Sequence, residues 1–214
     1  MRLSTIILLI CMSAALVVLV TLGNWQMDRL EWKEDLIERV NARRDLPPVP
    51  LLELLEKNTD LADHEYSPVQ IRGQFDHEKE VYYFTTDAKG ASGWNVYTPL
   101  MLNDGKILIV NRGFVLFPLR DASSRSEGQV TGEIDIQGLL RLPVAEKPSA
   151  SYDNNFEKRE FYWRSLKEMA GLMADDQNRF LPIFVDADDA ANPGGWPKGG
   201  ATKVSFTNNH LQYA

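Results

Sequence analysis

From Leu3 to Leu22 the chain runs for 20 residues without a charge, and Ser4, Thr5, Ser13 and Thr21 are its only polar members. At about 1.5 Å per residue, a helix over this run reaches roughly 30 Å, the thickness of a bilayer's hydrocarbon core. A secretory signal peptide is the competing explanation; it requires a basic flank, a shorter apolar stretch and a small-x-small cleavage site. Thr21-Leu22-Gly23 matches such a site weakly, and only Arg2 precedes the run. The length of the run, and a helical period that continues past it, favour a retained transmembrane anchor over residues 1–23.

Beyond Gly23, Trp25, Arg29, Trp32, Leu36 and Val40 recur three or four residues apart. That spacing lays one stripe along a helix that leaves the membrane and continues over residues 24–46. Trp25 stands where an interfacial aromatic sits at headgroup level, although both tryptophans also suit plain packing and anchoring. Pro47-Pro48 ends the helix, because proline lacks an amide donor and its ring clashes with the preceding turn. Orientation stays open on charge alone: Arg2 flanks one side, while Arg29, Lys33 and Arg39 flank the other.

All but one of the 23 basic residues, and all 30 acidic ones, lie beyond Gly23. An acidic body of this kind is poorly matched to phosphate backbones, so nucleic acid is excluded as a partner. A single cysteine, Cys11, rules out an internal disulfide and a Cys-based zinc site. Residues 50–56 read as a short amphipathic helix. Alternation of period two then marks strands around Val69/Ile71 and Val81/Tyr83, separated by a turn at Asp76-His77-Glu78. Tyr97–Leu102 and Lys106–Val110 flank Asn103-Asp104-Gly105, a hairpin signal. Ile134, Ile136 and Leu139 suggest a strand ended by Pro143, residues 161–173 a helix, and residues 181–185 a last strand. The expected class is α+β: a transmembrane helix, then a soluble domain over 47–207, mainly antiparallel β with a few helices, forming a small curled sheet or barrel.

Chemical motifs are sparse. Gly90-Ala91-Ser92-Gly93 misses nucleophile-elbow spacing, and Gly194–Gly200 lacks the Lys-Ser/Thr of a phosphate loop, so it reads as a flexible loop. Asp186, Asp188 and Asp189 read as a solvated turn, and His64 and His77, flanked by acids, as surface histidines. His210 suits axial ligation of haem iron, but a lone histidine more often serves only hydrogen bonding. Asn111-Arg112-Gly113 follows an apolar strand. It reads either as a turn with a positive-φ glycine or as Arg112 meeting a carboxylate, buried or on a ligand such as a haem propionate.

Taken together, several blocks resemble the Surfeit-locus family of cytochrome c oxidase assembly factors. They are Gly23-Asn24-Trp25-Gln26-Met27-Asp28-Arg29-Leu30-Glu31-Trp32-Lys33, Arg72-Gly73-Gln74-Phe75, Tyr97-Thr98-Pro99-Leu100 and Val110-Asn111-Arg112-Gly113-Phe114-Val115. Phe114 stands where the family more often has Trp. Asn208-Asn209-His210-Leu211-Gln212-Tyr213-Ala214 resembles the approach to the family's second membrane helix, so residues 208–214 are expected to begin one. The resemblance implies a non-enzymatic membrane protein that assists maturation of oxidase subunit I alongside other oxidase assembly factors. It also implies haem a binding, with His210 on the iron and Trp25, Trp32 and Arg112 as further candidate contacts. With no Arg-rich leader, the bacterial inner membrane is the expected location, with the soluble domain in the periplasm.

Two alternatives of other classes stand beside this one. A scaffold that binds oxidase subunits without haem needs only the helix stripe and the β domain. An enzyme of haem chemistry needs a nucleophile or acid-base pair that the sequence does not display.

Overall fold

A computed structural model describes residues 3–57 and 60–200, apart from the side chains of Leu36 and Arg39. The apolar run and the stripe after it form one uninterrupted helix, α1 (Leu3–Arg44). Its 42 residues extend about 63 Å, roughly twice what a hydrocarbon core needs. Arg43 and Arg44 occupy its last turn, where cations favour the helix dipole. The helix stops just before Pro47-Pro48, as proline sterics require. Residues up to Ala42 and the body from Arg43 onward are separate compact units.

The body begins with β1 (Val49–Pro50) and α2 (Leu51–Glu56), followed by β2 (Pro68–Phe75), β3 (Val81–Thr86), β4 (Ser92–Leu102) and β5 (Ile107–Leu116). It continues through β6 (Glu133–Arg141), β7 (Glu160–Phe161), α3 (Leu166–Met173) and β8 (Phe180–Ala187). β2 bonds β6 along one edge, and its last three residues, Gly73 to Phe75, bond β4 along the other. That second pairing closes the circuit β2–β6–β8–β5–β4 into a five-stranded barrel. The chain kinks through a 3₁₀ turn at His77–Lys79. β3 then takes over the β4 edge that β2 has left, pairing Val81–Thr86 with Ser92–Tyr97. The sheet is mainly antiparallel, but β5–β8, β1–β2 and β3–β7 run parallel.

Inside the barrel, alternate side chains of β2, β4, β5, β6 and β8 (Val69, Ile71, Leu100, Leu108, Leu140, Ile183) are nearly inaccessible, and Leu51 and Leu54 of α2 pack into the same cluster. The opposite faces of β4, β5 and β8 are covered as well. Tyr97, Ile109 and Phe184 pack with Phe161 and with Met169 and Met173 of α3. Both faces of β5 are therefore buried, which explains its near-continuous apolar sequence.

Three expectations change. Residues 161–173 are not one helix: Phe161 lies in β7, and α3 starts only after Ser165, whose hydroxyl accepts from the Glu168 amide as an N-cap. Asn111-Arg112-Gly113 is no turn but the interior of β5, which runs on to Leu116. Between the pairs Tyr97↔Asn111 and Asn95↔Phe114, Val96 alone faces Arg112 and Gly113, so the strand carries a bulge there. Residues 194–200 are pinned rather than free, since Lys198 exchanges both backbone hydrogen bonds with Phe114.

Gly113 has φ +119°, and a Cβ on it would collide with the Lys198 carbonyl, whereas Gly105 (φ +82°) faces open space in the β4–β5 hairpin. Gly113→Ala should therefore destabilise the body by about 3 kcal/mol or more. Gly105→Ala, with conformational strain alone, should cost about 1 kcal/mol. Denaturant unfolding followed by tryptophan fluorescence checks the ranking.

Candidate functional site

Of the residues that sequence reasoning proposed as cofactor contacts, Trp25 and Trp32 lie seven residues apart on α1, two turns along one face. They are 55% and 46% exposed. Arg29 stands between them, its guanidinium carbon 3.8 Å from the centre of the Trp32 ring. The stripe thus combines two large flat apolar surfaces with a cation that is geometrically tied to one of them. His210 lies outside the described residues. Arg112 belongs to the other compact unit, within the barrel, where its surroundings are of a different kind.

The bulge at Arg112 and Gly113 aims the arginine side chain off the barrel wall and beneath the segments that cross it. Arg112 is only 2% exposed. Its Nη1 donates to His77 Nδ1 (3.2 Å), and its Nη2 to the Gly128 carbonyl and to Asn192 Oδ1 (3.4 Å). The guanidinium also stands 4.8 Å from the Phe75 ring centre. One planar fork therefore ties together the His77 turn, the end of the 117–130 segment and the loop after β8. None of these partners is a carboxylate. Burial, partly offset by Glu80, pushes the Arg112 pKa down to about 10, so it stays charged at neutral pH.

Arg112 also lines a groove of about 570 Å³ with Phe75, Ile134 and Ile136, but Asp135 and Asp188 line the same groove. Acidic walls and a guanidinium already engaged by protein acceptors do not suit a propionate clamp, so Arg112 acts as a structural tie. His77, read from its acidic neighbours as a surface residue, is half-buried. Its Nε2 lies 2.7 Å from the Val130 carbonyl. Sequence reasoning missed this residue because its partners are 35 and 53 positions away.

A second charged network lies on the β5–β8 seam. Asp186, expected in a solvated turn, is 3% exposed and accepts from Asn111 Nδ2 (2.9 Å) and Arg141 Nη1 (3.3 Å). Arg141 in turn pairs with Glu65 (3.4 Å). Near the Arg112 node, Glu80 and Arg125 form a buried ion pair, and the Tyr82 hydroxyl donates to Glu80 (2.9 Å). Among the described residues no group of three His, Cys, Asp or Glu side chains is placed to hold a metal ion.

Replacing Arg112 by lysine keeps the charge but loses the planar fork. Arg112→Lys should lower stability by about 3 kcal/mol, because the acceptors it ties and its own charge are left imperfectly met. A fall in the midpoint of chemical denaturation, with the slope unchanged, is the expected result.

The SURF1 family model matches residues 13–214. Surfeit locus protein 1 of Gallus gallus is 38% identical over 209 residues, covering 90% of this chain and 64% of that protein. The Homo sapiens protein of the same name is 35% identical, covering 90% of this chain and 66% of its own length. That of Takifugu rubripes is 33% identical, covering 90% and 83%. The chain thus spans just under two thirds of the length of its bird and mammalian relatives. With a family match that runs from within the apolar helix through the barrel, the chain belongs to the SURF1 family.

Proposed function

We propose that this chain is a membrane-anchored assembly factor for cytochrome c oxidase, assisting maturation of subunit I by holding haem a before it is passed on. The observation that carries the reading is the extent of the family match, residues 13–214, which runs from within the apolar helix through the barrel. The stripe on α1 fits such a cargo: two exposed indoles two turns apart suit a flat apolar macrocycle, and Arg29 between them suits a propionate. When bound, haem a would supply a redox-active iron. In this reading His210 holds the iron, Trp25 and Trp32 shield the ring, and Arg29 orients it. The barrel takes no part in cargo contact, and the chain performs no chemical step of its own. The setting is the bacterial inner membrane, with the body on the periplasmic side and other oxidase assembly factors as further partners.

A second reading, a scaffold for oxidase subunits that handles no haem, is favoured by one observation. The body exposes a connected aromatic cluster, with Phe84 (37% exposed), Phe117 (50%) and Tyr152 (79%) linked through Tyr162. Exposed apolar patches of this kind mark interaction surfaces.

The two readings part in an absorption spectrum of the detergent-purified protein from cells that make haem a. The first expects a Soret band that His210→Ala abolishes and that the double variant Trp25→Ala/Trp32→Ala weakens. A band at full occupancy in His210→Ala would sink the ligand assignment. No band in the parent chain, with crosslinks from position 32 or from the barrel to subunit I, would leave the scaffold.

A further inference from the structure

The 117–130 segment is a strap laid across the barrel, and it is fastened at two ends by different chemistry. At its start, Arg125 pairs with Glu80 and donates to the Leu119 and Arg120 carbonyls, while Arg120 pairs with Glu160 (3.0 Å). At its end, the fastening is the Gly128 carbonyl on Arg112 and the Val130 carbonyl on His77. The same arginine holds Asn192, whose amide donates to the Pro197 carbonyl (2.6 Å) and so braces the 192–197 loop. Gly128 lies against the Trp196 carbonyl, where a Cβ would not fit.

Both ring nitrogens of His77 are engaged, and their partners fix the proton. Val130 offers only a carbonyl, so Nε2 must carry the hydrogen; Arg112 offers only donors, so Nδ1 must present its lone pair. The contact therefore exists only with a neutral imidazole. A second proton, on Nδ1, would point an N–H at a guanidinium N–H and add a positive charge beside it.

We propose that His77 is an acid-sensitive latch: its neutral form fastens the end of the strap and the 192–197 loop to the barrel, and its protonation releases them. The charged groups facing His77 are Arg112 from β5, Arg125 from the strap and Glu80 at the start of β3. Glu80 is already committed to Arg125, which leaves Arg112 as the cation that a protonated imidazole meets directly. Burial first, then these arginines, holds the His77 pKa below its ordinary value, against the opposing pull of Val130 and Glu80. A histidine whose folded pKa is depressed binds its proton more readily in the open state. The latch's contribution is therefore complete above about pH 6.5 and declines as the pH falls through the window down to the folded pKa.

The geometry makes the release local. The start of the strap rests on Glu80–Arg125, which His77 does not touch, so amides 117–122 and those of β6 should keep their protection. Amides 126–130 and 192–197, which include the Gln129 bond to Ser126 and the Gly195 bond to Asn192, should open. The test is hydrogen–deuterium exchange on the full chain in detergent, between about pH 7.5 and pH 5, with rates normalised to an unstructured peptide at each pH. The expected result is a severalfold rise in opening confined to 126–130 and 192–197. In His77→Gln, whose amide donates and accepts at the same places without titrating, the rise should be absent. A uniform response across the body, or the same local response in His77→Gln, would overturn the proposal. Imidazole ¹⁵N resonances of the unmodified chain give a check that needs no variant. The Nε2–H tautomer with a midpoint below the ordinary value of about 6.5 is expected, and a midpoint at or above it would overturn the latch.

Discussion

A guanidinium buried in the wall of a small barrel governs how the rest of the body is arranged. Moving a cation from water into a protein interior is costly unless its donors find acceptors, and Arg112 is met by one backbone carbonyl, an imidazole and a side-chain amide rather than by a carboxylate. That solution requires four separate stretches of chain to converge on one point: β5, the turn after β2, the end of the strap and the loop after β8. The convergence requires the bulge, because a regular strand would send residue 112 into the barrel or onto the face covered by α3. The bulge in turn uses a glycine, since Gly113 adopts φ +119° with the Lys198 backbone against it. One backbone irregularity thus fixes the course of some thirty residues that have almost no regular structure of their own.

The elements legible in the sequence are those whose signal is local. The apolar run, the i, i+4, i+7 stripe, the Asp-Gly hairpin and the alternating strands each declare themselves within about a dozen residues, and α1, β2, β4, β5, β6 and β8 follow from them. The misreadings share a cause. Asn111-Arg112-Gly113, His77 and Asp186 are polar and flanked by turn-forming or acidic residues, so locally they look solvated. Their burial is decided by partners 16 to 80 positions away. The helix over 161–173 was overextended because Phe161, Met169 and Met173 do fill one cluster, but from a strand and a helix that only tertiary packing separates. At the candidate site, the pairing of Trp25 with Trp32 was legible because a helix has a fixed period; the true role of Arg112 was not, because carbonyl acceptors leave no mark in a sequence.

The two aromatic surfaces answer to different physics. Trp25 follows directly after the apolar span, and an indole at headgroup level is stable there with no protein partner. Phe117 and Tyr152 belong to the acidic, water-facing body, where neighbouring rings stabilise one another but their outer faces remain wet. Phe117 also meets the edge of the buried Trp94 ring, so the cluster is anchored to the body on its inner side.

The buried charges also divide in two. On the β5–β8 seam, Asp186, Arg141 and Glu65 alternate in sign, and Asn111 supplies a neutral donor. Around the strap, Glu160 and Glu80 pair with Arg120 and Arg125, whereas the hydrogen-bond partners of Arg112 include no carboxylate. A buried guanidinium that no carboxylate meets makes a further positive charge beside it expensive, and His77 is the group that presents its lone pair to it. The seam is fastened by ion pairs of opposite sign, whereas the end of the strap is fastened through one imidazole and one guanidinium. That this imidazole must be neutral to accept from Arg112 is what distinguishes a latch from a tie.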